Sequence, residues 1–212
     1  MSGQGAVVGA DGLARCPWGL EAESMADYRV YHDTEWGRAV RGDDALYERI
    51  CLEAFQSGLS WLTILRRREG FRAAFADFRI KAVAEFTEAD EQRLLADPGI
   101  IRNRAKITAT IGNARAAAEL AEGELEELIW SYAPDPATRP VPRTFADVPA
   151  ITPESTALSR ELKKRGFRFV GPTTAYALMQ ACGLVNDHLA DCHVRDLVRP
   201  SGSGASPQVS GL

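Results

Sequence analysis

Apolar residues in this chain recur at helical spacing over most of its length, and no run shows the period-two alternation of a half-buried strand. Asp43 or Asp44 can cap a long helix whose apolar positions are Leu46, Ile50, Ala54, Leu59, Leu62 and Leu65. Thr87 to Asp90 reads as a capping-box start for a short helix that stops before Pro98-Gly99. Ile101, Ile111 and Ala118 share a further helix ending near Gly123, and Glu124 to Tyr132 forms another. The proline-rich stretch from Ala133 to Arg143 reads as a loop. Thr152-Pro153 opens a helix that closes at Gly166, and Pro172 opens the next, closing at Gly183. The expected fold class is all-α, a single domain over residues 15–198. Residues 1–14 and 199–212, rich in small residues, are expected to be disordered tails.

Composition narrows the function classes. At 212 residues and 45% hydrophobic the chain can bury a substantial core. It lacks a basic, apolar leader and any run of membrane-spanning length, so a soluble cytoplasmic protein with no membrane partner is expected. The net charge of −4 argues against a nucleic-acid partner, but the distribution changes that picture. Bases gather in the second half at Arg102, Arg104 and Lys106, then at Lys163, Lys164, Arg165 and Arg168. Local clusters matter more to phosphate contact than the total does.

The second basic cluster surrounds a short turn. In Leu162 to Leu178, Gly171 permits close backbone approach and Pro172 presets the next helix, whose exposed N–H groups can hold an anion. A helix-hairpin-helix element grips DNA phosphate in this way without reading sequence. The usual Gly-hydrophobic-Gly is Phe169-Val170-Gly171 here, with the first glycine missing.

Cysteine and histidine usage suggests a metal. The chain has four cysteines and three histidines, and two of each fall in pairs at opposite ends: Cys16 with His32, His188 with Cys192. Two thiols and two imidazoles make a closed tetrahedral zinc set, structural because no position is left open. On a helix, His188 and Cys192 would lie side by side at i and i+4. His193 is an alternative to His188, and the plain reading of such residues is a buried thiol or a core imidazole.

Several stretches together resemble the bacterial 3-methyladenine DNA glycosylase I family. They include Arg15-Cys16-Pro17-Trp18, Tyr31-His32-Asp33-Thr34-Glu35-Trp36-Gly37, Ile50-Cys51-Leu52-Glu53 and Gly58-Leu59-Ser60-Trp61. Gly99-Ile100-Ile101-Arg102, Ile111-Gly112-Asn113-Ala114-Arg115, Leu162-Lys163-Lys164-Arg165-Gly166-Phe167 and the run from Met179 to His188 follow in the same order. The resemblance implies an all-helical enzyme that flips 3-methyladenine out of double-stranded DNA and hydrolyses its N-glycosidic bond; a monomer is expected. It implies one structural Zn2+ on Cys16, His32, His188 and Cys192. It makes Glu53 the base-recognition carboxylate and Tyr31 and Trp61 the stacking walls, with Trp18, Tyr28 and Trp36 as further pocket candidates. Lys163, Lys164, Arg165, Arg168 and Gly171 are the expected DNA-backbone contacts.

Periodicity alone favours a plainer reading of two of these: a helical Glu is usually solvent-exposed and a helical Trp usually core. On one continuous helix Glu53 and Trp61 would share a face about 12 Å apart along the axis. The wider superfamily carries an acid where this chain has Asn186, which suits a base that leaves readily; Asp187 is displaced by one residue. No lysine occupies a Schiff-base position, so hydrolysis by water without strand cleavage is expected. The rivals are a non-enzymatic, zinc-clipped binder of damaged DNA and a zinc nucleobase deaminase. The second is weaker, since His32-x-x-Glu35 is out of register for His-x-Glu and no Pro-Cys-x-x-Cys exists.

Overall fold

The computed structural model describes residues 3–20 and 26–198. It is built from helices: α1 Ala26–Thr34, α2 Asp43–Gln56, α3 Trp61–Leu65, α4 Arg68–Ala74, α5 Ile80–Ala84, α6 Glu88–Ala96, α7 Arg104–Ala118, α8 Glu124–Trp130, α9 Pro153–Lys164 and α10 Pro172–Ala181. The only strands among the described residues are β1 Val7–Val8 and β2 Ala14–Arg15, paired antiparallel. That small hairpin corrects the expectation of a disordered N-terminal tail. A salt bridge of 2.8 Å from Arg15 to Asp11 braces it, and Arg15 also reaches Asp33 at the end of α1. The expected C-terminal tail, residues 199–212, lies outside the described residues.

Helix α2 is the spine. Eight of its residues are buried, among them Leu46, Tyr47, Ile50, Leu52, Glu53 and Phe55, so it is covered nearly all round rather than along one stripe. It packs against α3, α7, α8 and α10. A run of rings from Phe55 through Phe71 and Phe75 to Phe78 fills one side, with centroids 4.5 to 6.4 Å apart. The Tyr47 hydroxyl is fully buried and donates to the Thr110 carbonyl at 2.9 Å, as a buried phenol must.

The long helix expected from Asp43 to Leu65 is in fact two. Gly58 takes φ +80°, a left-handed conformation open to glycine, and ends the first. Ser60 then caps α3, its hydroxyl accepting from the Thr63 N–H at 3.2 Å. Nor do Asp43 and Asp44 cap α2, whose N-cap is Gly42. The Asp43 carboxylate accepts from the Gly123 and Glu126 N–H groups at the start of α8, and Asp44 from Ile80 N–H at the start of α5. Those acids tie three helix starts together. The Thr87–Asp90 capping box is present, and α9 and α10 open at Pro153 and Pro172 as expected.

Candidate active site

The break after α2 is what builds the site. It swings Trp61 round so that its ring meets Tyr31 of α1, with centroids 5.4 Å apart and planes inclined by 44°. Trp18, on a short 3-10 turn at Pro17–Leu20, packs edge-on against Tyr28 at 5.6 Å and Trp36 at 4.9 Å. Together these five rings and Glu53 line a cavity of about 250 Å³. All six side chains named as pocket candidates from sequence are therefore neighbours. Trp61 and Glu53 come together across a helix break, not along one helix face.

Glu53 is 5% exposed. Burial pushes its carboxyl up to about 8, offset in part by the Arg49 guanidinium one turn earlier. Arg49 itself faces Glu35, which also takes a bidentate pair from Arg68. Glu35 is thus held by two arginines outside the cavity, whereas Glu53 lines the cavity among the aromatic rings.

The second constellation lies beside the first. Cys16, His32, His188 and Cys192 are all buried, and their ligand atoms lie within 4.8 Å of one another. Cys192 Sγ is 3.5 Å from His32 Nε2 and 3.6 Å from His188 Nδ1, and Cys16 Sγ is 3.8 Å from His188 Nδ1. The outward nitrogens are engaged: His32 Nδ1 with Asp33 at 2.7 Å and His188 Nε2 with the Trp36 carbonyl at 3.1 Å. Each ring therefore turns its free nitrogen inward, as ligating imidazoles do. This set could hold a metal ion.

Two expectations about this set need correction. His193 is not a member, because its Nε2 lies 3.3 Å from Asp33. His188 and Cys192 do not sit on a helix either; a turn closed by Cys192 N–H on the Leu189 carbonyl brings them together.

The basic turn between α9 and α10 is partly neutralised. Arg165 is paired with Glu124 at 2.7 Å and Glu161 at 3.0 Å, while Lys163, Lys164 and Arg168 remain exposed. Phe169, standing where the usual first glycine would be, adopts φ +58°. Asn113 of α7 holds that strained segment, bonding the Arg168 N–H at 2.7 Å and its carbonyl at 3.1 Å. Gly171 leaves open space where a Cβ would lie, so the face before α10 is clear.

Asn186 is directed away from the aromatic cavity, its amide donating to the Arg195 and Val198 carbonyls. Asp187 and Gln180, which sequence reasoning did not select, line the cavity instead. The sequence signal for Asp187 was its place beside a ligand candidate; nothing in the helical pattern singled out Gln180.

A family model described as methyladenine glycosylase matches residues 21–196. The chain belongs to that family. The match takes in α1 to α10 and most of the site just described. Among methyladenine glycosylases, the chain is 46% identical over 182 residues to DNA-3-methyladenine glycosylase 1 of Escherichia coli (strain K12), covering 85% of this chain and 96% of that one. It superposes with a TM-score of 0.77 on a crystal structure of 3-methyladenine DNA glycosylase I, at 43% identity, covering 84% and 98% of the two chains. A variant of 3-methyladenine DNA glycosylase I crystallised in complex with 3-methyladenine gives a TM-score of 0.78 at 33% identity, covering 85% and 97%.

Proposed function

We propose that this protein is a monofunctional DNA glycosylase that extrudes 3-methyladenine from duplex DNA and hydrolyses its N-glycosidic bond. The observation that carries the reading is Glu53, a buried carboxyl with no ion-pair partner among the described residues, lining an aromatic-walled cavity in a methyladenine glycosylase. Burying such a group costs stability, and a mere binder of distorted DNA has no use for it. A flat, cationic base does. Tyr31 and Trp61 offer it π faces, Trp18, Tyr28 and Trp36 close the remaining walls, and Glu53 accepts from its exocyclic amine.

The chemistry asks little more of the protein. Methylation at N3 leaves a delocalised positive charge on the base, so the bond to the sugar is weakened and the base departs neutral. Glu53, once the cation enters, releases its proton to water and, as a carboxylate, opposes that charge. The target must leave the stack to reach the cavity. The α9–α10 turn supports phosphate contact as a helix-hairpin-helix, through the N–H groups before α10 and the exposed Lys163, Lys164 and Arg168, with Arg165 bracing the turn. Among the described residues no lysine lines the cavity, which favours attack by water over a Schiff base. The working unit in this reading is a monomer.

The metal we assign to the Cys16, His32, His188 and Cys192 set is zinc. Ordinary Zn–S and Zn–N bonds in a tetrahedron put sulfur and nitrogen about 3.6 Å apart, and the observed separations are 3.5 to 3.8 Å. When bound, the ion supplies no reaction chemistry; it clips residues 16 and 32 to residues 188 and 192. Thiolate ligands suit a reducing, cytoplasmic setting.

The test is incubation of methylated duplex DNA with purified protein, followed by assay of free bases and of zinc content. Catalytic release of 3-methyladenine and about one zinc per chain are expected. Binding without turnover would instead favour the non-enzymatic reading. Borohydride should trap no covalent adduct, and a trapped one contradicts the monofunctional mechanism.

A further inference from the structure

Glu53 by itself makes a poor judge of which purine it holds. Protonated, it donates to a 6-oxo group; ionised, it accepts from a 6-amino group. The cavity has a second polar feature without that freedom. Asp187, 4% exposed, has both oxygens filled. Oδ1 accepts from Arg139 Nη2 at 2.9 Å, and Oδ2 accepts from the Tyr176 hydroxyl at 2.5 Å and from Gln180 Nε2 at 2.9 Å. A carboxylate paired with arginine can only accept, so the end of the Gln180 amide facing it is the NH2 end. The Gln180 carbonyl oxygen therefore faces away from Asp187. It accepts no bond from the described residues and is not closed off in the protein, and Gln180 lines the cavity.

We propose that Gln180 reads the 6-position of the purine, locked carbonyl-outward by Asp187 so that it accepts from a 6-amino group and repels a 6-oxo group. Gln180 is the specificity residue, and Asp187, with Arg139 and Tyr176, is its positioning apparatus. The exocyclic amine of 3-methyladenine has two N–H groups, matching two acceptors in Glu53 and Gln180. In 3-methylguanine an oxygen replaces that amine; Glu53 can adapt by donating to it, but the Gln180 carbonyl is forced against it with its own acceptor unmet, a mismatch that enzyme sites reject strongly. This inference deepens the glycosylase reading and rests on it.

The lock makes an unusual forecast for Asp187→Asn. Arg139 can only donate, so it draws the new side-chain carbonyl to itself and leaves the Asn NH2 facing Gln180. The Gln180 amide must then turn over and present its donor end to the cavity. Methylated duplex DNA carries both 3-methyladenine and 3-methylguanine, and chromatography of the freed bases gives both release rates at once. Zinc content and thermal unfolding of each variant establish that it is folded. For Gln180→Leu the ratio of 3-methyladenine to 3-methylguanine release should fall at least about tenfold, through loss of the adenine rate. For Asp187→Asn it should fall at least as far, with the guanine rate rising above that of the unaltered protein. Equal loss of both rates, or an unchanged ratio, in folded Gln180→Leu overturns the proposal whatever Asp187→Asn does. A failure of the unaltered protein to release methyladenine contradicts the glycosylase reading itself, and is seen separately.

Discussion

Glu53 is a buried carboxyl among aromatic rings, and its energetics have a definite sign. Its ordinary value is 4.5 and burial raises it to about 8. Between those values the native state binds more protons than the unfolded chain, so stability falls as pH rises through that window, by at most about 1.4 kcal/mol per unit. Glu53→Gln removes the titration. The variant is therefore expected to resist urea better than the unaltered protein at pH 8, with the difference shrinking towards pH 5, while base excision falls about 100-fold or more. A second forecast at this scale concerns Asp33, which holds His32 Nδ1 at 2.7 Å and turns its other nitrogen to the metal set. Asp33→Asn should weaken zinc affinity about 10- to 100-fold in chelator competition, with all four ligands intact. Both candidate sets were legible residue by residue: the ligands because thiols and imidazoles are scarce and paired, Glu53 because it interrupts an apolar stripe and sits in a family motif. Gln180 and Asp187 were not, because their meaning lies in contacts to Tyr176 and Arg139 that no local pattern encodes.

The informative error among the elements is the helix from Asp43 to Leu65. Its apolar spacing continues through residues 57–60, which hid the stop at Gly58 and the cap at Ser60, though both residue types are helix-boundary signals. The break is held from outside. Lys106 of α7, 7% exposed, donates to the Phe55 and Ser57 carbonyls at 2.8 and 2.6 Å, where α2 has run out of its own donors. A cation at a helix C-terminus also suits the local dipole. Lys106→Met is expected to cost about 1–3 kcal/mol of unfolding free energy, because those carbonyls lose their partner inside the protein. Short helices α1, α4 and α5 escaped the sequence reading because each spans nine residues or fewer and owes its shape to packing. Helices with clear punctuation, α6, α9 and α10, were found where their caps and prolines put them.

Across the whole molecule the metal set and the base cavity are one construction. Tyr31 precedes His32, Trp18 packs edge-on against His32 at 4.9 Å, and the Trp36 carbonyl meets His188. Cys16 is itself a lining residue of the cavity. A metal ion held by this set would therefore also fix the walls of the cavity. Stripping zinc with a strong chelator should lower the thermal midpoint and weaken binding of free 3-methyladenine together, and readdition should restore both. The joining of the ends could be inferred from the Cys and His pairs; their sharing of a wall with the cavity could not, since it depends on how α1 crosses the molecule. The most direct check on the whole account compares the unaltered protein with Glu53→Gln on methylated duplex DNA under single-turnover conditions. Rapid release of 3-methyladenine by the first and a rate at least about 100-fold lower from the folded second is the expected result. Equal release by both would show that the buried carboxyl does not recognise the base.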